Sequence, residues 1–470
     1  MIQRRYLSVL LVLFAALSLS AQSMARYVFY FIGDGMGVNQ VNATETYYAA
    51  LEGRIGVKPL VFPSFPYVAL VNTQSATNGV TDSAAGGTAL ATGQKTYNGS
   101  IGIASDHETS IYSIAAWAKK AGAAVGVATS VSVDHATPAA FYAHRPDRGQ
   151  YYEIGTDLPK AAFDFYAGSD FLKPQLEGKP SLYDLVGQEG YTIARGYKDY
   201  LQKKAKARRM LLLQTEKASR QDRSCLPYAI DRKKGDMTLA EITRAGINFL
   251  GSRGGDGFFL MVEGGKIDWA CHANDAATVI RELKDMDDAV KVAYEFYEQH
   301  PLETLIVVTA DHETGGIVLG RGPYELHLDA LKYQKMSAAA YTQHISSLHK
   351  KLGDKFTWEA VKRDLQQNFG FWQPLTLSEH QEQRLKSAYE ALAAGRAEGA
   401  KNLYSQEDAL ATAAKKTLNE IALVGWQSGG HSNGYVPVFA IGVGAGLFTG
   451  RIDNTEIPLK IAEAAGFSRF

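Results

Sequence analysis

Cysteine is almost absent. Among 470 residues only Cys225 and Cys271 occur, so this is no disulfide scaffold. An oxidising compartment would permit one bridge between the pair, and the sequence leaves that pairing open. Net charge is lacking as well: Lys+Arg and Asp+Glu stand at 49 each. No overall field therefore draws nucleic acid or an anionic membrane surface to the chain. The one basic run, Lys203–Arg209, reads as a solvated helix face. Long apolar runs are missing too. The stretch Leu7–Leu19 falls short of the roughly 20 residues a membrane helix needs. It follows Arg4 and Arg5 and precedes the small residues Ser20–Ala25, the order of a secretory signal. Residues 1–21 are expected to be that signal, with cleavage after Ala21 or as late as Ala25. No cysteine stands at the junction to carry a lipid, so the mature chain is expected to be exported, periplasmic or secreted, without a membrane anchor. Internal repeats and extended low-complexity segments are absent.

What is present suits a large globular domain, 46% hydrophobic and 21% charged. Apolar, β-favouring runs end in polar punctuation. Tyr27–Ile32 leads into Gly33-Asp34-Gly35, Gly257–Val262 into Glu263, and Thr304–Ala310 into Asp311-His312. Val68–Val71, Ala124–Thr129 and Val436–Val443 are further candidates. Helical faces lie between them, such as Ile111, Ile114, Ala115 and Ala118, or Val279, Leu283, Met286 and Val290. Alternating strands and helices predict an α/β fold: a large, mostly parallel central sheet with helices on both faces. In such sheets ligands bind beyond the carboxyl ends of the strands, where Asp34, Glu263, Asp311 and His312 all fall. Residues 26–470 are expected to form a single domain. Residues of about 158–237 read as an irregular insertion. Those of about 322–417 read as a helical insertion over the site, with Ser337 as a cap for the face Tyr341, Ile345, Leu348 and Leu352.

Five segments carry chemistry. In VEGGKIDWACH, Glu263, Asp268 and His272 form a mixed oxygen and nitrogen donor set that suits a divalent cation better than a core. Cys271, about 100° round a helical turn from His272, is expected not to be a ligand. In FIGDGMG, glycines flank Asp34 and let the backbone turn tightly. In TDSAAGGTALATG, Ser83 begins a small-residue helix from about Ala84 to Thr92, with Asp82 beside it. It can be a simple N-cap, or a nucleophile at a helix start that attracts anions. TADHETGG places Asp311 and His312 at a sheet end, and GGHSNG holds His431 in a glycine-rich loop.

Together these segments resemble the alkaline phosphatase family from about Tyr27 to Val443. The resemblance implies an alkaline-phosphatase-like three-layer αβα sandwich, two zinc ions and one magnesium ion, and hydrolysis of phosphate monoesters through a phosphoserine. It implies that Asp268, His272 and His431 hold one zinc, while Asp34, Asp311 and His312 hold the other, with Ser83 as nucleophile. Asp34 would bridge to magnesium, completed by Glu263 and by Thr137 from VDHATPAAFYAHRPDR. Arg148 takes the place of the arginine that grips phosphate, with Asp82 orienting it and Arg145 as the nearby competitor. His135 and Trp269 depart from the family's best-known bacterial pattern and are candidates for tuning the third metal. The other histidines, among them His107, His144 and His344, are expected to lie on the surface or in the insertions.

Two cations about 3.5–4 Å apart can clamp the attacking and leaving oxygens of an in-line displacement. No separate general base is then required, in keeping with the lack of a Ser/His/Asp triad arrangement. Activity should rise with pH as the nucleophiles deprotonate. Inorganic phosphate is the product, no nucleic acid partner is expected, and a homodimer is common in the family. Sulfatases of the same superfamily follow the nucleophile with a Pro and Arg pattern, whereas Ala84, Ala85 and Gly86 follow Ser83. The alternatives are a phosphodiesterase of that superfamily and a non-catalytic metal- or phosphate-binding protein.

Overall fold

The computed structural model describes residues 24–469 except 254, 397, 402 and 405. The expected signal segment, residues 1–21, lies outside the described residues. Among the described residues no helix is long and apolar enough to cross a membrane.

The strands of the central sheet, numbered in chain order, are β1 (Tyr27–Ile32), β2 (Tyr67–Asn72), β3 (Ala124–Thr129), β4 (Phe165–Gly168), β5 (Tyr191–Arg195), β6 (Arg209–Leu213), β7 (Phe258–Glu263), β8 (Thr304–Thr309), β9 (Val436–Gly442) and β10 (Gly450–Asp453). They form one 10-stranded sheet in the order β10-β2-β9-β8-β1-β7-β3-β4-β6-β5. All neighbours pair in parallel except β9, which runs antiparallel to both β2 and β8. Every residue of β3, β7 and β8 is buried. Successive side chains of a strand point to opposite faces, so both faces of the sheet are covered.

The register sets where the chemistry falls. Thr129, Glu263, Ile32 and Thr309, the last residues of β3, β7, β1 and β8, stand side by side. The chain leaves all four strands from a single shelf. Because β9 is reversed, its first residue, Val436, pairs with Val71 near the end of β2, so the loop before β9 arrives at the same shelf. One antiparallel strand thus delivers His431 to a site otherwise built from strand ends.

The expectation of an irregular insertion at 158–237 is corrected: β4, β5 and β6 lie there and complete one wing of the sheet. These strands have only four or five residues. Runs that short carry a weak periodic signal. The segment 322–417 is mainly helical as expected, with helices Ala338–Leu352, Trp358–Phe369 and Glu379–Ala393 followed by Ala409–Ile421. It also holds a short antiparallel pair, Glu398–Lys401 with Gln406–Asp408, where no strand was expected. Ser337 caps its helix through the N–H of Ala340, and Tyr341 and Ile345 are buried. These helices share a second apolar core, including Leu365, Leu385 and Leu410, packed against Tyr47 and Ile280. Val279, Leu283, Met286 and Val290 form the buried stripe of the long helix Ala276–Gln299. Ile111 is buried but precedes its expected helix, which begins at Ile114 under a cap from Ser113. Cys225 and Cys271 are both free and buried.

Candidate active site and metal centre

Ser83 is not a cap. The cap is Asp82, whose Oδ1 accepts from the Ala85 N–H at 3.0 Å, leaving Ser83 as the first residue of the helix Ser83–Thr92. The Ser83 hydroxyl is therefore free of the helix end it was a candidate to satisfy. It is fully buried, and its Oγ lies 3.1 Å from His312 Nε2. Asp82 also accepts from the Gly99 N–H at 3.1 Å and, through Oδ2, from Arg148 Nη1 at 2.9 Å. One carboxylate therefore fixes both the serine's helix and the arginine beside it. Arg145 is excluded from that role, because its Nε and Nη2 grip Asp157 at 2.7 and 2.6 Å.

Three clusters of donors converge on the shelf: Asp268, His272 and His431; Asp34, Asp311 and His312; and Asp34, His135 and Glu263. The first is assembled from two places. Asp268 and His272 share one face of the short helix Lys266–His272. His431 is carried in by an antiparallel pairing of His431–Ser432 with Glu313–Thr314. Glu313 anchors that pairing by accepting from Gln40 Nε2 at 2.6 Å, the Gly316 N–H at 3.0 Å, and the Ser432 hydroxyl. His272 Nδ1 donates to the Gly429 carbonyl at 2.6 Å, and His431 Nδ1 to that of Thr81 at 2.8 Å. Both Nε2 atoms are thereby turned inward, 3.1 Å apart and 3.3 and 3.7 Å from Asp268 oxygens. Two ring nitrogens and a carboxylate thus point at one shared space, an arrangement able to ligate a single cation.

In the second cluster His312 Nε2 stands 3.2 Å from Asp34 Oδ1 and 3.5 Å from Asp311 Oδ2. Its Nδ1 faces the Thr314 hydroxyl at 3.2 Å, and that hydroxyl lies 2.5 Å from Asp268 Oδ1. Gly35 has a left-handed φ of 72° and lies against Asp268, where a Cβ would come within 2.9 Å of its Oδ1. Only glycine lets β1 turn there without entering the cluster.

In the third cluster Glu263 accepts the Thr129 hydroxyl, and its Oε1 lies 3.9 Å from His135 Nδ1. His135 Nε2 is 3.3 Å from Arg148 Nη2. Thr137 is buried among these residues, with its hydroxyl 3.4 Å from Asp311 Oδ2. Trp269 stacks on Tyr404 from the helical insertion, centroids 4.3 Å apart and planes at 9°.

The electrostatics call for added positive charge. Burial pushes the carboxyls of Asp34 and Asp311 far above the ordinary range, and neighbouring carboxylates add to it. Glu263 is pushed up to about 7 by burial, against the bonds from Thr129 and Thr137. Asp268 is held low despite burial by His272, His431 and His312. Both oxygens of Asp34, Glu263 Oε1, Asp268 Oδ2 and His135 Nδ1 are buried with no hydrogen-bond partner in the protein. Orphaned acceptors of this kind, gathered in three groups, fit divalent cations.

Comparison with known proteins agrees with this geometry. The family model described as Alkaline phosphatase matches residues 25–186 and 181–467, nearly the whole described chain. This chain belongs to the alkaline phosphatase family. It is 30% identical over 463 residues to alkaline phosphatase 3 of Bacillus subtilis, covering 95% of this chain and 90% of that one. The cold-active alkaline phosphatase of the psychrophile Shewanella sp. superposes with a TM-score of 0.77 at 30% identity, over 93% of this chain and 99% of that one. A histidine-to-aspartate mutant of the TAB5 alkaline phosphatase, with Mg bound in its M3 site, superposes with a TM-score of 0.66 at 25% identity, over 95% and 100%. Phosphatase activity follows from this membership.

Every alkaline phosphatase position inferred from the sequence falls within this one site. Thr129, Thr314 and Glu313 were missed, although Thr314 and Glu313 sit inside the TADHETGG segment itself. Tyr404 was missed as well, and no signal in its neighbourhood points to the site. His135 stands closer to the third cluster than a tuning role implied, since it supplies one of that cluster's donor atoms.

Proposed function

We propose that this protein is an exported, metal-dependent phosphomonoesterase that transfers the phosphoryl group to Ser83 before releasing inorganic phosphate. The observation that carries the reading is the buried Ser83 hydroxyl, which caps no helix and stands 3.1 Å from His312 Nε2 in the Asp34/Asp311/His312 cluster. The mixed carboxylate and imidazole donors of the first two clusters suit zinc. The oxygen donors Asp34 and Glu263, with Thr137 near them, suit magnesium, and His135 adds a ring nitrogen that zinc would share. When bound, such cations supply Lewis-acid stabilisation of the attacking and leaving oxygens and lower the pKa of hydroxyl groups beside them.

The chain's own residues do the rest. Ser83 gives up its hydroxyl proton to water and its Oγ attacks phosphorus, a Ser83 Oγ–P bond forms, and the ester P–O bond opposite it breaks, the leaving oxygen taking a proton from water. The alcohol departs on the side of Asp268, His272 and His431. Water then cleaves the phosphoserine, regenerating Ser83. Arg148, held by Asp82, offers a planar fork to two non-bridging oxygens. His312 is not the base of a triad, because its Nδ1 meets the Thr314 hydroxyl where a triad needs a carboxylate.

Export rests on the N-terminal segment, and the earlier cleavage point fits better. Ala25 is buried, and its N–H bonds the Ala464 carbonyl at 2.8 Å, so cleavage after Ala25 would remove a packed residue.

Metal analysis combined with rates on a phosphate monoester, a diester and a sulfate ester tests this function. Two zinc equivalents with the monoester strongly preferred is the expected result; faster diester turnover would make the phosphodiesterase reading the right one. Replacing Arg148 with Ala should weaken inhibition by inorganic phosphate about 10- to 100-fold, the worth of a charge-assisted fork, with zinc content unchanged. Loss of zinc instead would show that Arg148 acts on the metal centre rather than on phosphate.

A further inference from the structure

His135 is held differently from the other donor histidines. His272 and His431 are fixed by backbone carbonyls at 2.6 and 2.8 Å, and His312 by the Thr314 hydroxyl at 3.2 Å. Bonds of this kind orient a ligand ring before any cation arrives. His135 Nδ1, by contrast, is buried with no hydrogen-bond partner in the protein, 3.9 Å from Glu263 Oε1. Its Nε2 lies 3.3 Å from Nη2 of Arg148, the guanidinium proposed to grip phosphate. Two aromatic side chains pack against the His135 ring: Trp269, centroids 6.1 Å apart and planes at 65°, and Tyr404, at 6.2 Å and 57°. Both lie within the range of favourable tilted ring pairs.

Tyr404 joins that group from far along the chain. It lies between the short strands Glu398–Lys401 and Gln406–Asp408 of the insertion, yet among the described residues it is not part of the apolar core that the insertion's helices share. It packs instead on a separate small cluster of Val131, Cys225 and Trp269. Its ring stacks on Trp269 at 4.3 Å and meets the His272 ring at 5.4 Å and 65°. The Trp269 indole N–H is buried with no hydrogen-bond partner in the protein, so packing has to orient it. Lys266 Nζ, 5.5 Å from the Trp269 ring, is a looser contact than the stacked Tyr404. One ring from the insertion therefore touches a donor of the first cluster, a donor of the third, and the tryptophan beside them.

Resting on the metal-dependent reading of this site, we propose that Tyr404 is a positioning residue for the third cluster: its ring braces Trp269 and His135 and thereby sets how tightly Asp34, His135 and Glu263 hold a cation. It acts through those two rings rather than as a ligand. The first cluster should be indifferent to it, because His272 keeps its bond to the Gly429 carbonyl with or without Tyr404. Packed aromatic pairs and the contacts that orient metal ligands each shift affinity by about tenfold, so the effect is large enough to measure.

The test is metal content at equilibrium. The full chain, supplied with two equivalents of zinc, is dialysed against graded free magnesium, and both metals are measured by elemental analysis. Tyr404→Leu, which removes the ring and keeps apolar bulk, should raise the magnesium concentration for half-occupancy about tenfold while both zinc equivalents stay bound. Tyr404→Phe, which keeps the ring, should stay within about twofold of the unmodified protein. Rescue by phenylalanine, with zinc retained throughout, is a pattern that general damage to the fold would not give. Unchanged magnesium affinity in Tyr404→Leu, loss of zinc in step with magnesium, or a phenylalanine variant as weak as the leucine one overturns the proposal. So does an unmodified protein that binds zinc and no magnesium. In all these cases the phosphomonoesterase reading stays in place. An unmodified protein that retains no zinc is a different result and overturns the metal-dependent reading, with the proposal alongside it.

Discussion

The Ser83→Ala protein should lose phosphomonoesterase activity by a factor on the order of 10³ or more and keep its full metal content. The size of the loss follows from what remains without the hydroxyl. Arg148 and the donor clusters can still bind phosphate, but no nucleophile stands in line with the scissile bond. Structural collateral should be small, because the helix Ser83–Thr92 is capped by Asp82, which stays in place, and alanine suits the first turn. The substitution thus separates a missing nucleophile from a damaged site. Turnover within about tenfold of the unmodified enzyme, with metals bound, would mean that water attacks phosphorus directly.

Chelation should have the second large effect, on stability as well as on rate. Stripped of cations, the shelf holds Asp34, Glu263, Asp268 and Asp311 together and fully buried. Asp34, Glu263 and Asp311 have raised pKa values in the fold, Glu263 to about 7, against roughly 4 in an unfolded chain. As pH rises between those values the unfolded chain releases its protons first, so the folded state binds more and loses stability, by about 1.4 kcal/mol per pH unit per group. His135, pushed down to about 3 by burial and by Arg148, and His312, also pushed down, act the other way, but only below the ordinary histidine value of about 6.5. The uncompensated loss therefore lies above about pH 6.5. Urea melts at about pH 6 and about pH 8, with and without chelator, should show the stripped protein markedly less stable at the higher pH and the loaded protein much less affected. Equal pH dependence in the two forms would place no cations among these carboxylates.

How much of this could be read beforehand varies with the kind of signal. The central strands announce themselves because both of their faces are buried and their sequences are nearly continuous apolar runs. Their level ends then carry Asp34, Glu263 and Asp311 into one place. The division of VEGGKIDWACH, with Glu263 at one cluster and Asp268 and His272 at another, follows the family resemblance and is matched by the donor geometry. The short strands β4 to β6 were hidden for the opposite reason: four or five residues give little periodicity to detect. Arg145 and Arg148 look alike in sequence, and only the partner settled through folding, Asp157 for one and Asp82 for the other, separates them. Tyr404 reaches Trp269 from the insertion, far along the chain, through ring stacking that leaves no local pattern. Sequence left Ser83 open as cap or nucleophile, and the cap proves to be Asp82, because either side chain can serve and the choice depends on backbone geometry at the helix start.

The most direct test of the account is the stereochemical course at phosphorus. A monoester made chiral at phosphorus with oxygen isotopes, turned over in the presence of an acceptor alcohol, should transfer its phosphoryl group with net retention of configuration. Two successive in-line displacements, first by Ser83 and then by the acceptor, each invert the centre and together restore it. Net inversion would show a single displacement and contradict the phosphoserine at Ser83.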